Sequence, residues 1–202
     1  MSSVFLFSSS RVRLYAPFLC YDSFMSNYRR YFVNNNPIFL TIVTYNREDI
    51  LINNIELLRK AFEETKKYYD FEIIAICVMN NHIHMILSLN IQSELPQIIR
   101  TLKQNFTKLI PEKYYPTDIS ESMKKRNEKG IWQRRYYDHV IRNENDLWKH
   151  IDYIHFNSVK HYNILPKDWG YSSFNKFVKN NFYNVEWCNY GDKNNISEID
   201  LE

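Results

Sequence analysis

Residues 71–89 constrain the fold of this chain more than any other stretch. Phe71 to Met79 (FEIIAICVM) is an unbroken apolar run, Asn80-Asn81 is a turn pair, and His82 to Leu89 returns with clean alternation. An apolar run of this length reads as a central strand covered on both faces, and the two runs together as an antiparallel hairpin. Upstream, Pro37 to Tyr45 is β-branched and aromatic and predicts another strand. Between them, Glu48 to Tyr69 carries Ile50, Leu51, Ile55, Leu58 and Phe62 near helical spacing. Glu94 to Ile110 repeats the pattern with Leu95, Ile98, Ile99, Leu102, Phe106 and Leu109 on one side. Pro111 to Lys129 is polar and predicts a mobile loop, and Ile131 to Ile141 predicts a last strand. Polar residues from Asn143 to Asn145 then predict a helix cap, with a helix to about Lys160. The order β-α-β-β-α-β-α is that of an α+β, ferredoxin-like split βαβ. It implies an antiparallel sheet with helices on one face and one added C-terminal helix.

At 202 residues the chain is one domain with ragged ends. The apolar run Val4 to Phe7 is too short to span a bilayer, and Arg11 and Arg13 follow it where a signal peptide would place them before. Residues 1–24 read as a disordered or dispensable extension ahead of Met25, residues 25–188 as the domain, and residues 189–202 as a flexible tail. Cys20, Cys77 and Cys188 are scattered and form no CxxC pair, which argues against a disulfide framework or zinc ribbon and fits a reducing cytoplasm. The net charge of +3 permits a nucleic-acid partner without demanding one, since binding depends on local clusters of Lys and Arg.

Two sites stand out chemically. In His82-Ile83-His84 the histidines are two apart on a strand and share a face, while Ile83, Met85, Leu87 and Leu89 share the other. Neighbouring neutral imidazoles can share one cation, although such a pair also arises by chance and the spacing alone does not assign it. The helix from Asp146 to Lys160 has Leu147, Ile151 and Ile154 as its buried stripe. At ~100° per residue, His150, Tyr153 and Asn157 fall on one flank within roughly 60°. Tyr153 and Asn157 are i and i+4 and stack. With sixteen tyrosines in the chain, position on a helix flank does not by itself single out Tyr153 from a boundary tyrosine.

An ordered set of motifs does. Tyr28-Arg29-Arg30-Tyr31, His82-Ile83-His84, Ile131-Trp132-Gln133, Asp138-His139-Val140-Ile141-Arg142, the run Asp152 to His161 (DYIHFNSVKH), and Trp169-Gly170-Tyr171-Ser172-Ser173-Phe174 together resemble the REP-associated tyrosine transposases, within the HUH single-tyrosine superfamily. The resemblance covers about residues 25–188. It implies cleavage of single-stranded DNA beside hairpin-forming repeats through a covalent 5′-phosphotyrosine. It makes Tyr153 the nucleophile and His82, His84 and Asn157 the metal ligands. Asn80-Asn81 stands where the family often has Pro and an acidic residue, and Ser158 where it usually has Pro.

A tyrosine hydroxyl, with a pKa near ~10, needs help to become a nucleophile. A nearby cation can polarise the scissile phosphate. Three neutral ligands leave positions open for phosphate and water, which suits Mg²⁺ or Mn²⁺ more than a closed structural zinc. His150 is a candidate for a supporting or proton-handling role. Arg29, Arg30, Arg100, Lys103, Arg134, Arg135 and Arg142 form a basic swath interleaved with Trp132, Tyr136 and Tyr137, the pattern for tracking a nucleic-acid backbone while stacking bases. Tyr136 and Tyr137 are adjacent on a strand, face opposite ways and lack an i+4 ligand partner, so they rank below Tyr153 as nucleophiles. The expected partners are single-stranded and hairpin DNA, with no membrane, and the protein a monomer or homodimer. Rival readings are a domesticated DNA-binding protein that no longer transposes, a replication initiator or relaxase, and an RNA-binding module with His82, His84 and Ser88 on an exposed sheet face.

Overall fold

The computed structural model describes residues 36–188. The expectations for residues 1–24, for Arg29 and Arg30, and for residues 189–202 lie outside the described residues. Four strands, β1 (Ile38–Val43), β2 (Phe71–Val78), β3 (His82–Leu89) and β4 (Tyr137–Val140), form one antiparallel sheet in the order β2-β3-β1-β4. The helices are α1 (Ile55–Lys66), α2 (Leu95–Leu109), α3 (Glu121–Lys125), α4 (Glu144–Tyr162) and α5 (Phe174–Lys179). This is the ferredoxin-like split βαβ with added helices, as the pattern of apolar runs predicts.

Strand alternation divides the core in two. Ile38, Leu40 and Ile42 of β1 and Ile83, Met85 and Leu87 of β3 pack with Leu58, Phe62, Ile98, Leu102 and Phe106 from α1 and α2. Phe39, Cys77 and Ile86 belong to the opposite cluster, with Leu147, Ile151 and Ile154 of α4. Each large apolar side chain fully buried this way contributes about 1.5–3 kcal/mol. Helix α4 begins where the Asn143 side chain accepts from Asp146 N at 3.0 Å. It ends at Asn163, whose left-handed φ of 54° suits an asparagine.

Four expectations need correction. The first helix starts at Ile55, not Glu48, because residues 44–51 are tied to the hairpin turn: Leu51 N donates to Asn80 O at 2.9 Å and Thr44 N to Asn81 O at 2.9 Å. Strand β2 lies at the sheet edge, not its centre. Its composition reads as central because both faces are covered, and because Val78 N donates to Tyr171 O at 2.9 Å and Ser173 N to Ile76 O at 2.8 Å along its outer edge. The last strand is only Tyr137–Val140; before it, Gln133 N donates to Val43 O and the chain crosses the end of β1 through a Thr44–Trp132 bridge. Residues 111–129 include the short helix α3, capped by Ser120.

Candidate active site

Register brings the candidate residues together. His84 of β3 pairs with Thr41 of β1, and His82 with Val43. Both histidines project toward α4, so this sheet face is covered: His82 is 3% exposed and His84 is fully buried. That corrects the expectation of an exposed histidine face and removes the open platform an RNA-binding sheet would need. The two imidazole centroids are 4.8 Å apart. Tyr153, buried on α4, meets His84 edge-on at 5.1 Å, and Phe39 lies beneath both, 5.9 Å from Tyr153 and 5.8 Å from His84.

Asn157, one turn beyond Tyr153, donates its Nδ2 to Tyr153 O at 2.6 Å, which turns its Oδ1 the other way. That Oδ1 and the Nε2 of His82 are buried without a hydrogen-bond partner among the described residues. Leaving a polar atom so costs about 1–3 kcal/mol, and both atoms are of the kind a cation ligates. The tautomer of His82 is fixed from behind. Asn81 Nδ2 donates to Asp49 Oδ1 at 2.8 Å, so its Oδ1 faces His82 Nδ1 at 2.8 Å and accepts a hydrogen bond from the Nδ1–H, leaving the lone pair on Nε2. The Thr41 hydroxyl engages His84 Nδ1 at 2.9 Å. Burial, with the positive charge of His161, Arg47 and Lys160, holds His82 down at about 3, and burial holds His84 well below the usual imidazole range. Both rings are therefore neutral at pH 7, the form that binds metal. Two further groups border the site: the Lys160 ammonium lies 5.3 Å from the Tyr153 ring centroid, and the His161 ring lies 5.0 Å from His82.

His150 does not join this cluster. It is buried on the same helix, stacked 4.7 Å from His139 and 4.9 Å from Phe39, with Nδ1 2.7 Å from Asp146 O. His139, Asp146 and His150 bring ligand atoms within 4.8 Å of one another and form a group able to hold a metal ion. Its acceptors are already engaged, however. Asp146 Oδ2 takes His139 Nε2 at 3.0 Å, Arg142 N at 2.9 Å and Arg142 Nε at 3.1 Å. Burial alone would raise the Asp146 carboxyl, but the Arg142 and His139 hydrogen bonds hold it far below the usual carboxylate range. With a guanidinium on its carboxylate, this group acts first as a clamp that orients the exposed Arg142.

The basic residues divide between two places. Arg100, Lys103, Lys108, Arg126, Lys129 and Arg134 line an open groove of about 880 Å³ between α2 and residues 126–136, on the α1/α2 side of the sheet. Lys103 is turned inward, donating to Gln133 O at 2.8 Å, and burial lowers it to about 8. Trp132 is 8% exposed, packs 5.3 Å from Phe106 and donates to Lys103 O, so it frames the groove and does not offer an open ring. Arg142 lies apart, with Asp146, and Arg135 does not line the groove.

His155 gives a test that is independent of function. Burial holds it at about 3, and its Nε2 lies 2.8 Å from Ser173 Oγ, which ties α4 to β2 through Ile76. Its folded pKa lies below the unfolded value near 6.5, so the unfolded chain binds the extra proton and stability falls as pH drops from 6.5 toward 3. Between pH 6.5 and pH 5, urea unfolding should show a loss of stability about 1.6 kcal/mol smaller in His155→Gln than in the wild type, the buried His82 and His84 contributing equally to both. An equal loss in the variant would refute the assignment.

The chain belongs to the IS200-like transposase family (Transposase IS200 like), which matches residues 32–157. It is 32% identical over 167 residues to the REP-associated tyrosine transposase of Escherichia coli, covering 81% of this chain and 92% of that one. A Haemophilus influenzae protein named "Putative REP-associated tyrosine transposase" is 40% identical over 166 residues, covering 81% of this chain and 93% of that one. A solved REP-associated tyrosine transposase bound to a REP hairpin superposes with a TM-score of 0.63 at 30% identity, covering 80% of this chain and 90% of that one. Among the described residues no helix is long and apolar enough to cross a membrane.

Thr41, Phe39, Asp49 and Lys160 were not legible as site residues in the sequence. Phe39 and Thr41 left a signal as alternate residues of β1 that share a face once β1 is paired with β3, and Lys160 as a member of the motif at residues 152–161, without a role attached.

Proposed function

We propose that this chain binds hairpin-forming repeat DNA and cleaves and rejoins single strands through a 5′-phosphotyrosine at Tyr153. The observation that carries the reading is the meeting of Tyr153 and Asn157 with the His82/His84 pair, where His82 Nε2 and Asn157 Oδ1 are buried and unsatisfied. His82, His84 and Asn157 would hold a divalent cation, Mg²⁺ or Mn²⁺, which when bound polarises the scissile phosphate and offsets its growing charge. Tyr153 Oη forms the new bond to phosphorus as the bond to the 3′ oxygen breaks, and that oxygen leaves as a 3′-hydroxyl. The same hydroxyl can later attack the phosphotyrosine and restore a phosphodiester. Asn81 and Thr41 orient the imidazoles, and the Lys160 ammonium supplies positive charge beside the phenol that must lose its proton. Arg100 and Arg134, exposed in the groove, track the phosphates of the hairpin, with Lys103 and Trp132 as its frame.

The test is incubation of a hairpin-flanked single-stranded oligonucleotide with the protein and Mn²⁺. A covalent complex that survives denaturation supports the reading; hairpin binding without any adduct makes the chain a DNA-binding protein that does not cleave. The groove has its own expectation. Arg100→Ala with Arg134→Ala should weaken hairpin binding across sequences and lower the slope of log K against log salt by about 1.8. An unchanged slope would move the hairpin elsewhere.

A further inference from the structure

We propose that Tyr137 is a stacking platform for the nucleobase beside the scissile phosphodiester, on the same face of the sheet as the histidine pair. This rests on the proposed cleavage at Tyr153 and adds a positioning residue to it. Tyr137 of β4 is paired with Thr41, and Thr41 with His84, so the three lie in one cross-strand row on one face. Neighbouring strands are about 4.8 Å apart, which puts Tyr137 about 10 Å from His84 across that face. Helix α4 covers the β2 and β3 side of the face, yet Tyr137 is 49% exposed, among the few large aromatics left open. It is anchored on its inner side: the Phe39 ring lies 6.2 Å from it at 69°, and Phe39 also contacts His84 and Tyr153. An aromatic anchored by one ring contact and half exposed, beside a buried phosphate-directed site, matches the chemistry of an unpaired base. Its neighbour Tyr136 faces the basic groove instead, with Lys103 Nζ 5.7 Å from its ring, so the strand turns adjacent rings toward the two DNA-directed surfaces.

The experiment first maps the cleaved bond in a hairpin-flanked oligonucleotide, then places 2-aminopurine on either side of it. Binding to the full-length protein should quench the probe at one of the two positions. In Tyr137→Ala the quenching should vanish and KM for adduct formation should rise about 5- to 150-fold, the range for loss of one stacked base. Tyr137→Phe and Tyr137→Trp should restore both, whereas Tyr68→Ala, an exposed tyrosine in the turn after α1, should change neither. An abasic site at the quenched position should cost the wild type the same factor and Tyr137→Ala nothing further. Wild-type KM and quenching in Tyr137→Ala, or no rescue by Phe and Trp, would overturn this inference while leaving cleavage intact. Absence of any adduct in the wild type would instead overturn the proposed cleavage.

Discussion

Tyr153→Phe should abolish the covalent complex with single-stranded DNA while leaving the protein folded and able to bind a hairpin. Deleting a nucleophile typically costs three or more orders of magnitude in rate, so no adduct should be visible by denaturing electrophoresis at times when the wild type has reacted fully. The fold should tolerate the change. The Tyr153 ring packs edge-on against Phe39 and His84, and Phe preserves that shape. Only the hydroxyl is lost, a cost of about 1–2 kcal/mol at most. The informative failure is an adduct that persists in Tyr153→Phe. Peptide mapping would then test Tyr137, which shares the face of the histidine pair, before Tyr136, which does not. A loss of adduct accompanied by unfolding would be uninformative for Phe, so thermal melts of both proteins belong in the same experiment.

The parts of this site legible in the sequence are those set by local periodicity. Two-residue alternation put His82 and His84 on one face, and helical spacing put Tyr153 one turn from Asn157; both relations survive because backbone geometry alone enforces them. His150 shows where that logic stops. It falls on the same flank by angle, yet the hydrogen bond to Asp146 O and the stack on His139 hold its ring in a neighbouring cluster. The edge position of β2 was hidden for a related reason: residues 171–173, far along the chain, satisfy the edge that composition could not reveal. The relay from Asp49 through Asn81 to His82 was equally out of reach, because it joins residues 32 positions apart through a turn. Basic residues were legible only as charge. Charge marks them all alike, but Lys103 spends its donors on carbonyl oxygens and Arg142 is clamped by Asp146, and only their contacts separate them from Arg100 and Arg134.

The second large effect concerns the ligand atoms, and its sign separates a metal site from a structural one. Asn157→Leu removes a buried carboxamide whose Oδ1 has no hydrogen-bond partner among the described residues. In metal-free protein this should be near neutral, within about 1 kcal/mol, since loss of the Nδ2 bond to Tyr153 O is offset by replacing an unsatisfied acceptor with apolar volume. Mn²⁺ binding in the presence of oligonucleotide should weaken by two orders of magnitude or more, and Mn²⁺-dependent cleavage should fall with it. His84→Ala should lose cleavage to the same degree, but at a cost in stability, because it opens a cavity beside Phe39 and Tyr153. Asn81→Ala, which frees His82 Nδ1 from its partner, should lower Mn²⁺ affinity by about 10- to 100-fold without removing a ligand. Calorimetric titration of Mn²⁺ and urea unfolding of the metal-free proteins measure the two quantities separately. A structural role for Asn157 predicts that stability drops and metal affinity holds; a ligand role predicts the reverse. If Mn²⁺ affinity instead collapses in Asp146→Asn and is untouched in Asn157→Leu, the cation belongs to His139, Asp146 and His150, and the paired histidines would need another explanation for their buried, neutral state.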